Sequence, residues 1–324
     1  MMNLLRAELG RLRSRRLSWV AVAGILIAIG LLQIAVYQTV KPLSAAELEE
    51  GRQQYQQAVQ DYEQNKAQYE EGAKECVAQG NSAEDCDPRP KPEQYTYRTP
   101  EPFADITNIA VTVTVFLSTL AILFVAASFI GAEYSSGALA NWLSFIPERG
   151  KVFASKLLAI VIAAAVVSFL ASALTIGVAA IISSSVGADV AGAGKLFEMA
   201  GRGVVIGVIG AVIGFVLAML TRHTIAAAGT VLGYLLVSFV LSILSQAIMS
   251  LQAIKPWLAE NNILAFLNHG YKYVTYVNRL TDDGMDMQEV EHTITFAHST
   301  VYWSVIVAVA IAVTFSVFRR RDVN

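Results

Sequence analysis

Six long stretches of this chain carry no Lys, Arg, Asp or Glu: 19–40, 106–130, 157–182, 203–220, 224–250 and 301–318. About 20 consecutive apolar residues suffice for a helix to cross the hydrocarbon core of a bilayer. No water is available there, so each segment must satisfy its own backbone hydrogen bonds, which selects the α-helix. Charged residues make up 15% of the chain, against about 25% in an ordinary soluble domain. The runs therefore predict an all-α polytopic membrane protein with six transmembrane helices.

The first run is too long for a cleaved leader, whose apolar part spans about 7–15 residues. Its flank RAELGRLRSRRLSW is also long and carries five Arg, so an uncleaved span is expected. Six spans place both termini on one side, with 1–18, 131–156, 221–223 and 319–324. Those segments hold 12 basic residues in about 53 positions, whereas 41–105, 183–202 and 251–300 hold 12 in about 135 and carry 22 of the 26 acids. Positive charge accumulates on the cytoplasmic side. The reading is a multi-pass protein of a bacterial cell membrane, with both termini cytoplasmic and acidic loops outside.

Residues 1–18 place Leu4, Leu5, Leu9 and Leu12 at helical spacing among several Arg. Such a helix lies in the membrane interface; a charge cluster that only fixes topology would look similar. From Ser44 onward Leu48, Tyr55, Tyr62, Tyr69 and Cys76 recur every seven residues on a polar background. That apolar stripe suits packing against a partner helix or the returning part of the same loop, and a Tyr stripe also suits a ligand. Pro88, Pro90, Pro92, Pro100 and Pro102 then make a stiff return to the membrane. Cys76 and Cys86 share this outer loop, where an oxidising compartment favours a disulfide over two free thiols.

In the fourth span Gly203, Gly207, Gly210, Gly214 and Ala218 form one smooth face. Small residues let helix backbones approach in lipid, inside the bundle or at a dimer seam. In the last outer loop, 262–277 (NILAFLNHGYKYVTYV) is apolar enough to dip back toward the bilayer, and TDDGMDMQEVEH reads as an acidic turn and helix. A partly re-entrant helical cap is expected there.

Catalytic signatures are missing. GADVAGAGKL at 187–196 misplaces Lys195 for a phosphate-binding loop, and no Ser or Thr follows it. His269, His292 and His298 share the last outer loop without zinc-protease spacing, so no metal site is assigned. The spans offer hydroxyls and amides instead of charges: Asn108, Thr112, Ser118 and Thr119 in the second, Ser168 and Ser172 in the third. A path lined like that suits apolar or amphipathic cargo, whereas proton relays place ionisable groups within spans.

The segment 131–156, GAEYSSGALANWLSFIPERGKVFASK, is polar and joins two very apolar spans. Ala138, Leu139, Trp142, Leu143, Phe145 and Ile146 form an amphipathic helix, stopped by Pro147 and followed by basic residues. On physics alone this is an interfacial connector. The segment also resembles the signature of type-2 ATP-binding cassette (ABC) transporter permeases, with Glu133, Gly137, Leu139, Leu143, Pro147, Arg149 and Lys156 at the matching positions. Ala138 and Glu148 depart from it, at positions where Thr and Ser are common. The resemblance extends along the chain: a basic interfacial helix, six spans, cytoplasmic ends and a bulky last outer loop.

The resemblance implies that 131–156 is a coupling helix docked on a separate ATPase, with Trp142 and Phe145 as apolar anchors. It implies two ATPase subunits, a second copy of this or a related permease, and ATP and Mg held by the ATPases rather than by this chain. The expected function is the permease subunit of an exporter of peptide antibiotics, drugs or lipid-like compounds, with no nucleic-acid partner. A non-transporting scaffold or sensor, using its outer arm to bind a ligand or an envelope partner, is the alternative.

Overall fold

The computed structural model describes residues 2–96, 102–145, 148–281 and 284–320. Its frame is six long helices: α2 (Arg16–Val40), α6 (Phe103–Ser135), α8 (Arg149–Ser185), α9 (Ala193–Thr221), α10 (Thr224–Ala247) and α12 (Phe296–Arg320). All six are long and apolar enough to cross a membrane. Each contains one of the uncharged runs or nearly all of it, and several extend it by a turn or more at the polar ends.

α9 is the most enclosed of the six, and its glycines explain why. A Cβ on Gly203 would meet the Val115 side chain at 2.6 Å, and one on Gly214 would meet the Leu123 carbonyl oxygen at 2.2 Å. The smooth face of α9 therefore lies inside the bundle, against α6 and α8. Two polar contacts cross that bundle: the Thr114 and Thr175 hydroxyls are 3.0 Å apart, and Gln33 Nε2 donates to the Thr175 carbonyl.

α1 (Met2–Ser14) precedes the first span and turns into α2 at Arg15. At the opposite end of the bundle lies the arm: α3 (Ala45–Gln64), α4 (Lys66–Ala78) and the single turn α5 (Glu93–Thr96). Ser44 caps α3 by accepting from the Glu47 N–H while the Glu47 carboxylate accepts from the Ser44 N–H, a reciprocal capping box. The Tyr stripe packs within the loop itself. The Tyr55 ring packs tilted against Tyr95 of the returning segment with centroids 5.9 Å apart, and Tyr62 likewise against Tyr69 at 5.8 Å. Cys76 and Cys86 are joined as a disulfide. Pro100 lies outside the described residues.

The last loop corrects one expectation. Where a helical cap was expected throughout, only its first part is helical, a 3-10 helix (Met249–Trp257) and a short α11 (Ala259–Leu267), and the rest is an antiparallel hairpin of β1 (Gly270–Thr281) and β2 (Gly284–Thr295). Tyr271 pairs with Ile294, Tyr273 with His292, and Thr275 with Val290. Tyr, Val and Thr suit a pleated surface, and cross-strand bonds satisfy the backbone without help from lipid. The apolarity of 270–277 is strand character, and the acidic half is its partner strand. The outer edge of β1 is covered by side chains: Gln252 accepts from the Tyr276 N–H, and Lys255 donates to the Val274 carbonyl.

Candidate functional site

At the end of the bundle that carries both termini, four charged side chains converge. Lys156 on α8 is fully buried, and its Nζ lies 2.8 Å from Glu8 of α1 and 2.6 Å from Glu133 of α6. Arg11 of α1 reaches Glu133 at 3.1 Å and Glu8 at 3.6 Å. Two acids and two bases thus balance, which is the condition for holding charge away from water. Around them, Arg15 lies over the Phe129 ring at 5.6 Å, and Lys156 over the same ring at 5.5 Å. Burial lowers the Arg15 pKa from its ordinary value, with Glu133 pulling in the other direction.

The cluster sits beside the junction of α6 and α7 (Ala138–Phe145). Gly137 makes that junction with φ +67°, a left-handed turn that glycine adopts at no steric cost. Leu139 is buried in the bundle core next to Phe129 and Val152, so it fastens α7 to its own chain. Trp142 is half-buried, with the Arg11 guanidinium 5.3 Å from its ring centre. Arg11 therefore touches both Glu133 at the end of α6 and Trp142 on α7. The side chains of Leu143 and Phe145, and all of Pro147, lie outside the described residues.

Arg149 begins α8 and donates from Nη1 to the carbonyls of Phe318 (3.2 Å) and Arg319 (3.3 Å). Those carbonyls end α12, where a cation meets unpaired acceptors and the negative end of the helix dipole. Phe153, one turn further along, packs edge-on against Phe215 and Phe315. α8, α9 and α12 thus share one clamp at this end.

The chain matches the family model described as ABC-2 family transporter protein over residues 2–323. It belongs to that family. A search of curated proteins finds no match. An ABC-2 chain is a permease, a membrane transport component, and the six spans agree with that assignment.

The hydroxyls and amides of this ABC-2 chain occupy different places. Asn108 donates to Asn268 (3.0 Å) and to the Met199 sulfur (3.4 Å), Ser118 to its own helix at Val115, and Ser168 faces Gly207 of α9. Ser172 is buried and Thr112 half-buried. Thr119 lines a cavity of about 360 Å³ between α6, α9, α10, α11 and α12, and none of the other five does. The three loop histidines lie apart: His269 stacks on Phe296, His292 on Tyr273, and His298 meets Trp257 edge-on.

Sequence reading missed Glu8, Arg11 and Glu260 as site residues. Glu8 had a signal, because Leu4, Glu8 and Leu12 fall four apart on one face of α1. An acid on the apolar face of a basic helix asks for a buried partner.

Proposed function

We propose that this ABC-2 permease is one half of an exporter in a bacterial cell membrane, with both termini cytoplasmic and α7 as its coupling helix. Two separate ATPase subunits supply the energy, with ATP and Mg bound to them, and a second copy of this or a related permease completes the path. The observation that carries the reading is the Lys156–Glu133–Glu8–Arg11 cluster. It binds the ends of α1, α6 and α8 beside α7, so a push on α7 acts on three elements together. Trp142 is the docking anchor, and Gly137 is the pivot. Leu139, Glu133, Lys156 and Arg149 keep α7 and α8 attached to the bundle. Leu143, Phe145 and Pro147 complete the helix and its stop by resemblance.

The cargo is an amphipathic or hydrophobic compound, which the uncharged runs within the spans accommodate. The test is purification of the tagged chain from its native host, with a search for a bound ATPase carrying a phosphate-binding loop. Trp142→Ala should release that partner and abolish cargo-stimulated ATP hydrolysis, while Glu84→Ala in the arm changes neither. If no ATPase accompanies the wild-type chain, the scaffold reading takes its place.

A further inference from the structure

The 360 Å³ cavity is almost wholly apolar, walled by side chains such as Leu120, Ile213, Leu235 and Ile306. One carboxylate lines it, that of Glu260 at the start of α11. Ser238 Oγ donates to Glu260 Oε1, and the Tyr234 hydroxyl donates to Oε2 at 3.2 Å. Tyr234 in turn accepts the N–H of Ala259 at 2.8 Å, which fixes its hydroxyl in place. Among the described residues no Lys, Arg or His lies within ion-pair distance of Glu260. Two hydroxyls hold its carboxylate, and no cation among the described residues pairs with it. That contrasts with the cluster at the other end, where each buried carboxylate has bases beside it.

Two more groups in the same wall lack partners. Trp303 is 6% exposed, and its Nε1–H makes no hydrogen bond among the described residues. Thr119 Oγ1 is buried and likewise unpaired. Buried polar atoms are nearly always hydrogen-bonded, and an indole N–H only donates. A void of this size is typical of small-molecule sites, which are apolar with a few placed polar groups.

We propose that this cavity binds a lipophilic cation: an apolar body in the void, an ammonium-like charge on Glu260, and a hydrogen-bond acceptor toward Trp303. An apolar pocket alone accepts neutral and charged bodies according to shape. The uncompensated carboxylate adds a preference by sign, because a half-buried charge facing an apolar void attracts an opposite charge that water screens less than in free solution. The rings of Tyr234 and Tyr302 border the same space and attract a cation through their faces. That the bound cation is also the cargo rests on the export reading; the binding site does not.

The test uses two ions of the same shape and opposite charge, tetraphenylphosphonium and tetraphenylborate. Binding to the full chain in phosphatidylcholine nanodiscs is measured by equilibrium dialysis, with empty discs subtracted. The wild type should prefer the cation at least tenfold. Glu260→Gln should weaken the cation about tenfold and leave the anion unchanged, and Glu260→Asp should keep the preference. Leu120→Trp fills the void with Glu260 in place and should weaken both ions. Equal binding of the two ions, or a cation affinity untouched by Glu260→Gln and Leu120→Trp, overturns the proposal. Trp142→Ala should retain cation binding while losing the ATPase. Cation binding by a wild-type chain that captures no ATPase therefore sinks the export reading and leaves the site standing.

Discussion

Lys156 is the residue on which most depends. Its ammonium has no contact with water and faces two carboxylates. Lys156→Met leaves Glu8 and Glu133 with Arg11 as their remaining close base, and breaking a buried pair from one side costs about 3–5 kcal/mol. The melting temperature in detergent should fall markedly, and Lys156→Met with Glu8→Gln should recover part of the loss by restoring charge balance. A single variant no less stable than the wild type refutes the cluster as an anchor. Lys156 and Glu133 were visible in the sequence as polar interruptions, but their partners were not. α1 looked like a surface helix held by lipid headgroups, and the pairing of residues 148 positions apart is not encoded in local periodicity.

The decisive contacts between elements are backbone approaches. On α9, a methyl at Gly214 collides with the Leu123 carbonyl, whereas one at Gly207 meets the Ser168 hydroxyl at 1.9 Å. Backbone has nowhere to go, so Gly214→Ala must part α6 from α9, and overpacking of this kind costs about 1–3 kcal/mol. Gly207→Ala should be rescued in part by Ser168→Ala, while no side-chain change on α6 rescues Gly214→Ala. Thermal stability of the four variants in detergent decides this. The glycine face was readable from spacing alone, because Gly recurs every three or four residues; which neighbour it meets was not. The hairpin was misread for a related reason. In 270–295 the alternation of Tyr, Val and Thr and the Asp283-Gly284 pair are strand and turn signals, yet the mean apolarity of the same residues argues for membrane. Both patterns coexist there, and the cross-strand pairing determines which prevails.

Over the whole molecule, the two ends are built on different principles. The terminus-bearing end is a salted core, while the opposite end carries a disulfide-tied arm and a hairpin edged by side chains. A cross-link around a loop this short contributes about 2–3 kcal/mol by restricting the unfolded chain. Cys76→Ser should loosen the arm and remove the mobility shift on reduction, with the spans unaffected. Beside the bridge, the Arg89 guanidinium donates two hydrogen bonds to Asp87 and its backbone N–H a third, which hold that carboxyl below its usual range. The stabilising effect of this pair is therefore present at neutral pH and lost as pH falls through the lowered Asp87 value, which a carboxyl titration by NMR reads directly. Six spans, their common topology and the cysteine pair follow from the sequence because each rests on composition or short spacing. The cavity beside Glu260 did not, because it forms only where α6 packs against α9 to α12, which no local pattern records.

The pairing of Glu8 with Lys156 also orders the birth of the protein. α1 is made before α8, and its buried carboxylate waits through the two spans α2 and α6 before Lys156 emerges. Until then the amino-terminal helix has no permanent berth. A nascent chain arrested before residue 156 should leave α1 open to protease, and one arrested after the third span should shield it. Insertion of the third span thus closes a latch whose other half was synthesised 148 residues earlier.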